Sequence, residues 1–292
     1  MLVNEQGNPI ADEMVVPELS EKQQEEAEGR TSVSAVVVHE TIRHDGEEEL
    51  QRPLAALAWS GFAAGLSMGF SFVAEALLRR YVPDAPWRPL IVNLGYPVGF
   101  LIVILGRQQL FTENTLTAVI PLFARRNLAT IVAVLRLWAV VLAANLVGAH
   151  IFAWVLGNTP AFRPEVQESL RALAQEAANV AFGTAILRGI FAGWLIAMVV
   201  WILAAIDSGR IAVIVTLTYL VGVAGLTHII AGSVEVLFLV MTGRMTWFGY
   251  LGGYMLPTLI GNIIGGVSMV SAVNHAQSVA GMPQNKKMRG NR

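Results

Sequence analysis

The sequence predicts an all-α membrane protein: six transmembrane helices in two inverted halves of three, with the second and fifth helices broken. Three observations predict it. The 292 residues are 54% hydrophobic and only 14% charged, whereas soluble domains carry about 25% charged residues. Several apolar runs reach the roughly 20 residues that a helix needs to cross a hydrocarbon core. Glycine and asparagine motifs recur in the same order in the two halves.

Charge divides the chain. Residues 1–52 hold 13 acidic and 4 basic side chains, and residues 53–292 hold the other 8 acidic and 16 basic ones. This gives an acidic extension (1–52), a six-span transport domain (53–276) and a basic tail (277–292). Residues 1–30 are rich in Glu and Gln and are expected to be disordered. Residues 32–51 suit either a short amphipathic helix at the membrane edge or a solvated tail. The start of the chain lacks the basic-then-apolar pattern of a cleaved signal peptide. There is no cysteine, which excludes disulfides, thiolate catalysis and cysteine metal sites.

The first span is predicted from Leu54 to about Leu78, with Gly61, Gly65 and Gly69 forming a stripe for close helix approach. Pro83, Pro86 and Pro89 break the chain in an interface loop that also carries Arg79, Arg80, Trp87 and Arg88. The second span runs Leu90–Gly106, stops at "RQQLFTEN" and resumes over Thr115–Phe123. The third covers Leu128–Leu156. Residues 164–185 are amphipathic, with Pro164 suited to a helix start. Spans four to six are predicted at Ile186–Ile206, Ile211–Met241 and Trp247–Val273, the fifth being interrupted at "GLTHIIAG". Nine Lys and Arg residues near the spans lie on the side of the termini and seven on the other. The positive-inside rule thus favours cytoplasmic termini by a small margin.

Each half reads as a glycine-faced helix, a broken helix and an Asn-x-x-Gly helix. Gly61 and Gly65 are echoed by Gly189 and Gly193, and Asn145–Gly148 by Asn262–Gly265. An odd number of spans per half inverts the second half. Inverted repeats with matching broken helices point to a transport site at mid-membrane, because freed backbone groups need a protein-lined or watery cavity.

The Leu110-Phe111-Thr112 break, "WAVVLAANLVGA" at 138–149, "GLTHIIAG" at 225–232 and "LPTLIGNIIGG" at 256–266 together resemble the formate/nitrite transporter family across the membrane domain. The resemblance implies an aquaporin-like homopentamer in the bacterial inner membrane with one pathway per protomer. It places Thr112 and His228 at the two breaks, with Leu110 and Phe111 at a constriction and Tyr96, Phe100 and Val221 nearby. Thr227 and Gly232 flank the histidine on the pathway. The chain departs from the family pattern at Arg107–Gln109 and at Gly232. It also has no lysine between Phe162 and Ile186, where members have one at the vestibule.

An anion pays a large desolvation cost in an apolar constriction, and a buried histidine is suited to proton exchange. His228 is therefore expected either to share a proton with a passing weak acid or to hold an anion, together with Thr112, by hydrogen bonds. Glu113 and Asn114 are expected to cap the half-helix after the first break. Glu235 is expected to satisfy loop backbone or a neighbouring helix. Arg107 suits either anion attraction or pairing with Glu113 or Glu235. Asn145 and Asn262 are expected close to the pathway, Arg136 and Arg188 at an interface, and His150 and His275 near span ends. His39 and His44 do not make a metal site. No cofactor, metal or nucleic-acid partner is expected; the partners are lipid and a small anionic or weak-acid solute. An intramembrane hydrolase using Ser233 and His228, or a non-transporting scaffold, is the alternative; there is no Gly-x-Ser-x-Gly elbow.

Overall fold

The computed structural model describes residues 33–280, with side chains described as far as residue 272. The acidic segment 1–32 and most of the basic tail lie outside the described residues, as does the side chain of His275. Helix α1 spans Ala35–Gln51 and α2 spans Leu54–Tyr81. The second crossing is assembled from α3 (Arg88–Val92), a 3₁₀ turn (Asn93–Gly95), α4 (Pro97–Leu105), α5 (Asn114–Thr117) and α6 (Val119–Arg125). Then come α7 (Leu128–Asn158), the surface helix α8 (Pro164–Ala178) and α9 (Phe182–Ala205). The fifth crossing is split into α10 (Arg210–Val223) and α11 (Ala231–Met241). A π turn, Gly249–Met255, leads into α12, Leu256–Ala280.

Local chemistry sets the boundaries. Asn127 caps α7, its side chain accepting the Thr130 N–H at 2.8 Å, which satisfies one orphan donor of the first turn. Pro164 occupies the first turn of α8, where its missing N–H costs nothing, and Glu165 follows it near the positive end of the helix. That helix stops at Ala178, well short of the 185 expected from periodicity.

The most extensive helix pairs are α2 with α7 and α9 with α12. Their glycines bring backbone onto backbone. A Cβ on Gly65 would lie 2.1 Å from the Asn145 carbonyl oxygen, and one on Gly193 would lie 2.3 Å from that of Asn262. A Cβ on Gly148 would meet the Phe62 carbonyl at 2.4 Å, and one on Gly265 the Ile190 carbonyl at 2.1 Å. The small-residue stripes thus pack the same way in both halves.

Helix α1 is part of this domain. Its Val38 and Ile42 are buried in one cluster with Leu116, Ile120, Met269 and Val270, so the start of α1 and the late part of α12 share one face of the membrane domain. Arg136 donates to the Leu50 carbonyl at 2.6 Å. It ties α1 to α7. His150 stacks on Trp247 with centroids 5.4 Å apart, joining α7 to the segment just before the π turn.

Candidate functional site

Both broken helices end in the same device. In the first, the Gln108 N–H donates to the Val103 carbonyl and the Arg107 N–H to that of Ile104. In the second, the Leu226 N–H donates to Val221 and the Gly225 N–H to Gly222. These are Schellman closures, which need a left-handed residue at the turn. Gly225 supplies it at φ +60°, and Arg107 supplies it at φ +50°.

Beyond each closure, an asparagine clamps the open chain. Asn145 accepts the Phe111 N–H at 2.9 Å and donates to the carbonyls of Gln109 at 2.8 Å and Gly61 at 2.7 Å. Asn262 accepts the Ile229 N–H at 2.8 Å and donates to Thr227 and Gly189, both at 2.9 Å. Backbone groups freed by a helix break in lipid must be satisfied by protein, and these two side chains do it. The bonding register makes Phe111 equivalent to Ile229 and Gln109 to Thr227. Leu110 is therefore the counterpart of His228, and Thr112 of Ile230.

The breaks meet at one contact: the Thr112 hydroxyl and His228 Nε2 are 2.9 Å apart, both buried. His228 Nδ1 lies 3.3 Å from the Ile230 N–H and 3.2 Å from the Ala231 N–H, and accepts from both. Amides only donate, so the neutral ring carries its hydrogen on Nε2, an assignment that follows from its partners. Nε2–H then donates to Thr112, whose own hydroxyl hydrogen is left to point elsewhere. A proton on Nδ1 would face two N–H groups. The Phe100 ring stands edge-on to the imidazole at 5.1 Å. Phe100, Leu110, Phe111, Val221 and Ile229 lie in one buried apolar cluster around the contact.

Two cavities flank this plug. One, of about 310 Å³, is lined by Tyr96, Thr227, His228, Gly232, Tyr254, Glu75, Glu235 and Arg188, with Arg79, Arg88 and Glu176 toward its rim. The other, of about 470 Å³, lies on the side of α1 and is lined by Arg107, Gln109, Glu113, Asn114, Asp207 and Arg210, with Asp45, Glu48 and Glu49 of α1. Tyr96, Phe100, Leu110, Phe111, Val221 and Gly232 thus gather around the two breaks. The Thr227 hydroxyl turns away, donating to the Ala185 carbonyl at 2.7 Å.

Several expectations change. Glu113 makes no capping bond to α5, and its Oε1 is buried without a partner among the described residues. Asn114 braces the break, donating to Gln109 Oε1 at 2.9 Å and to the Leu110 carbonyl at 3.3 Å. Arg107 makes no ion pair among the described residues, and Glu235 lies in the opposite cavity, out of its reach. Among the described residues Glu235 bonds to neither loop backbone nor helix, and it lines the cavity. Arg188 lines that cavity too. Ser233 accepts from the Tyr250 hydroxyl at 2.9 Å, so it has no bond to His228 and the hydrolase pairing has no basis. Among the described residues no group of titratable side chains is placed to hold a metal.

Two contributors escaped the sequence reading. The Tyr254 hydroxyl donates to the His228 carbonyl at 3.3 Å, in space open only because residue 232 is glycine: a Cβ there would lie 1.6 Å from the Tyr254 oxygen. Nothing in the sequence joins the two. Glu75 did leave a signal, as a lone carboxylate within the apolar first span.

The family model described as formate/nitrite transporter matches residues 36–276. The chain is 40% identical over 260 residues to the inner membrane protein YfdC of Escherichia coli K12, covering 89% of this chain and 84% of that one. It is 25% identical to the formate channel BtFdhC of Bacillus thuringiensis, covering 80% of this chain and 91% of that one. Among solved structures, a pentameric formate channel with formate bound superposes with a TM-score of 0.65 at 20% identity, over 81% of this chain and 99% of that one. An FNT family ion channel gives 0.69 at 16% identity, over 82% and 98%.

Proposed function

The chain belongs to the formate/nitrite transporter family, and on that premise we propose that it carries a small monovalent anion, or its conjugate weak acid, through each protomer. The assembly is a homopentamer in the bacterial inner membrane with both termini in the cytoplasm. The solved channel that is pentameric and holds formate supports the assembly and the solute class. The observation that carries the reading is the 2.9 Å contact of Thr112 with His228, made where two half-helices meet between two cavities.

The steps follow from the side chains. An anion in the cavity opposite α1 meets Arg188, which has no carboxylate partner among the described residues. Further in, the apolar cluster strips water, at a cost that only hydrogen-bond donors can offset. The Thr112 hydroxyl, polarised by His228 Nε2–H, is the donor aimed there. Of the two roles open to His228, donation through Nε2 agrees with its bonds. Proton transfer at Nδ1 requires the loop to release both amides. The clamps of Asn145 and Asn262 keep the two loops in place while solute passes.

Proteoliposome flux tests this, with formate, nitrite, acetate, lactate and hydrosulfide screened at several pH values. At least one is expected to pass. His228→Asn and Thr112→Val are expected to slow it while the protein stays assembled. Passage of none, or undiminished flux in both variants, would overturn the reading.

A further inference from the structure

The cavity beside His228 holds two carboxyl groups that neither fold nor plug employs. Glu75 of α2 is 5% exposed, and Glu235 lies two turns beyond His228 on the next half-helix. Both line the cavity, and among the described residues neither makes a hydrogen bond or an ion pair. Buried polar groups are nearly always satisfied, and carboxylates inside membrane domains are costly and mark proton or ion paths. An ionised pair beside the path would also repel an arriving anion. The surrounding charged and titratable groups are few. Arg79 of α2 pairs with Glu176 of α8 at 2.8 Å. Arg88 contacts Asp84 at 3.4 Å near the rim, and Arg188, Tyr96, Tyr254 and His228 complete the lining.

We propose that Glu75 and Glu235 are the proton donors of this pathway, converting a carboxylate-class anion into its neutral acid before it reaches the apolar plug. The proposal rests on the weak-acid transport reading above and assigns its proton to a site other than His228. In the step, the O–H bond of one glutamic acid breaks and its proton forms the O–H bond of the transported acid. The electron pair stays on the glutamate, which then takes a proton from water in the open cavity. The neutral acid crosses the plug without the desolvation cost of an ion. Two observations converge on this: the unpartnered pair faces the path, and His228 Nδ1 is occupied by two amide donors.

Formate flux into proteoliposomes across a pH series tests it, using the full chain. Wild type is expected to carry formate at pH 7. Glu75→Gln with Glu235→Gln is expected to be about 100-fold slower there, the usual worth of a positioned proton donor. Near about pH 4, where solution itself supplies formic acid, the double variant is expected to approach wild type. Glu75→Asp is expected to restore part of the pH 7 flux. If the double variant does not assemble, the single Gln variants are expected to show the same pH-dependent loss to a smaller degree. Wild-type flux and pH profile in the Gln variants would overturn the proposal, as would a loss of equal size at every pH, which a structural role produces. No formate flux in wild type overturns the transport of this solute itself, and the proposal with it.

Discussion

The first break, between α4 and α5, and the second, between α10 and α11, share a backbone and differ in chemistry. Each closes with a Schellman turn, and each is held by one asparagine through one accepted and two donated bonds. At the positions this register equates, the first break has Leu110 and Thr112 where the second has His228 and Ile230. The contact of one imidazole with one hydroxyl is thus made from two repeats that each supply half. The lesson is that the clamps fix geometry, leaving the residues between them free to differ. The flanking cavities differ as well: α1 adds Asp45, Glu48 and Glu49 to one, and Arg188, Glu75 and Glu235 mark the other.

The largest effect should come from the clamps. Asn145→Ala and Asn262→Ala each leave a buried N–H and a loop carbonyl unpaired, at about 1–3 kcal/mol per group. Both are expected to abolish assembly or lower the melting temperature in detergent sharply, and by similar amounts. If one is tolerated and the other is not, the equivalence of the two breaks fails.

Next come the helix crossings. Gly65→Ala and Gly193→Ala press a methyl onto the carbonyls of Asn145 and Asn262, and overpacking costs about 1–3 kcal/mol. Thermal melts should rank both below wild type and above the asparagine variants.

The turns offer a test of opposite signs. Left-handed backbone costs an L-residue about 1–2 kcal/mol, so Arg107→Gly should raise the melting temperature and Gly225→Ala should lower it. A fall for Arg107→Gly would show that the guanidinium contributes more in its cavity than its backbone costs. The smallest effect on stability is expected at Thr112. Thr112→Ser keeps the hydroxyl and should keep flux. Thr112→Val leaves one buried donor, His228 Nε2–H, unpaired, against two groups in each clamp variant, and should lose flux with a smaller fall in melting temperature than those variants. Equal flux in the two variants would detach the hydroxyl from transport.

The crossings were legible because lipid imposes a simple rule: long apolar runs become helices. The Pro83–Pro89 loop, the stop at "RQQLFTEN" and the one at "GLTHIIAG" were visible as interruptions. The π turn before α12 and the 3₁₀ turn at Asn93–Gly95 were passed over, although a proline, Pro257 or Pro97, follows each by two residues and removes a helical donor. The end of α8 was misjudged because amphipathic spacing continues past Ala178, while the backbone turns at Asn179.

By itself the sequence determined that this chain spans a membrane, that its halves repeat, and that His228 and Thr112 sit at the two breaks. Those facts follow from hydropathy and motif order, which are local or periodic. Tertiary structure alone decided which atoms meet. It put the Thr112 hydroxyl on Nε2, gave Nδ1 to two amides, and turned Thr227 away toward α9. It set Tyr254 into the space of Gly232 and left Glu75 and Glu235 facing one cavity. Such contacts join residues far apart in the chain, and their geometry depends on how inverted helices cross. That crossing is set by backbone approach at glycine pairs, a property of two segments together that neither carries alone.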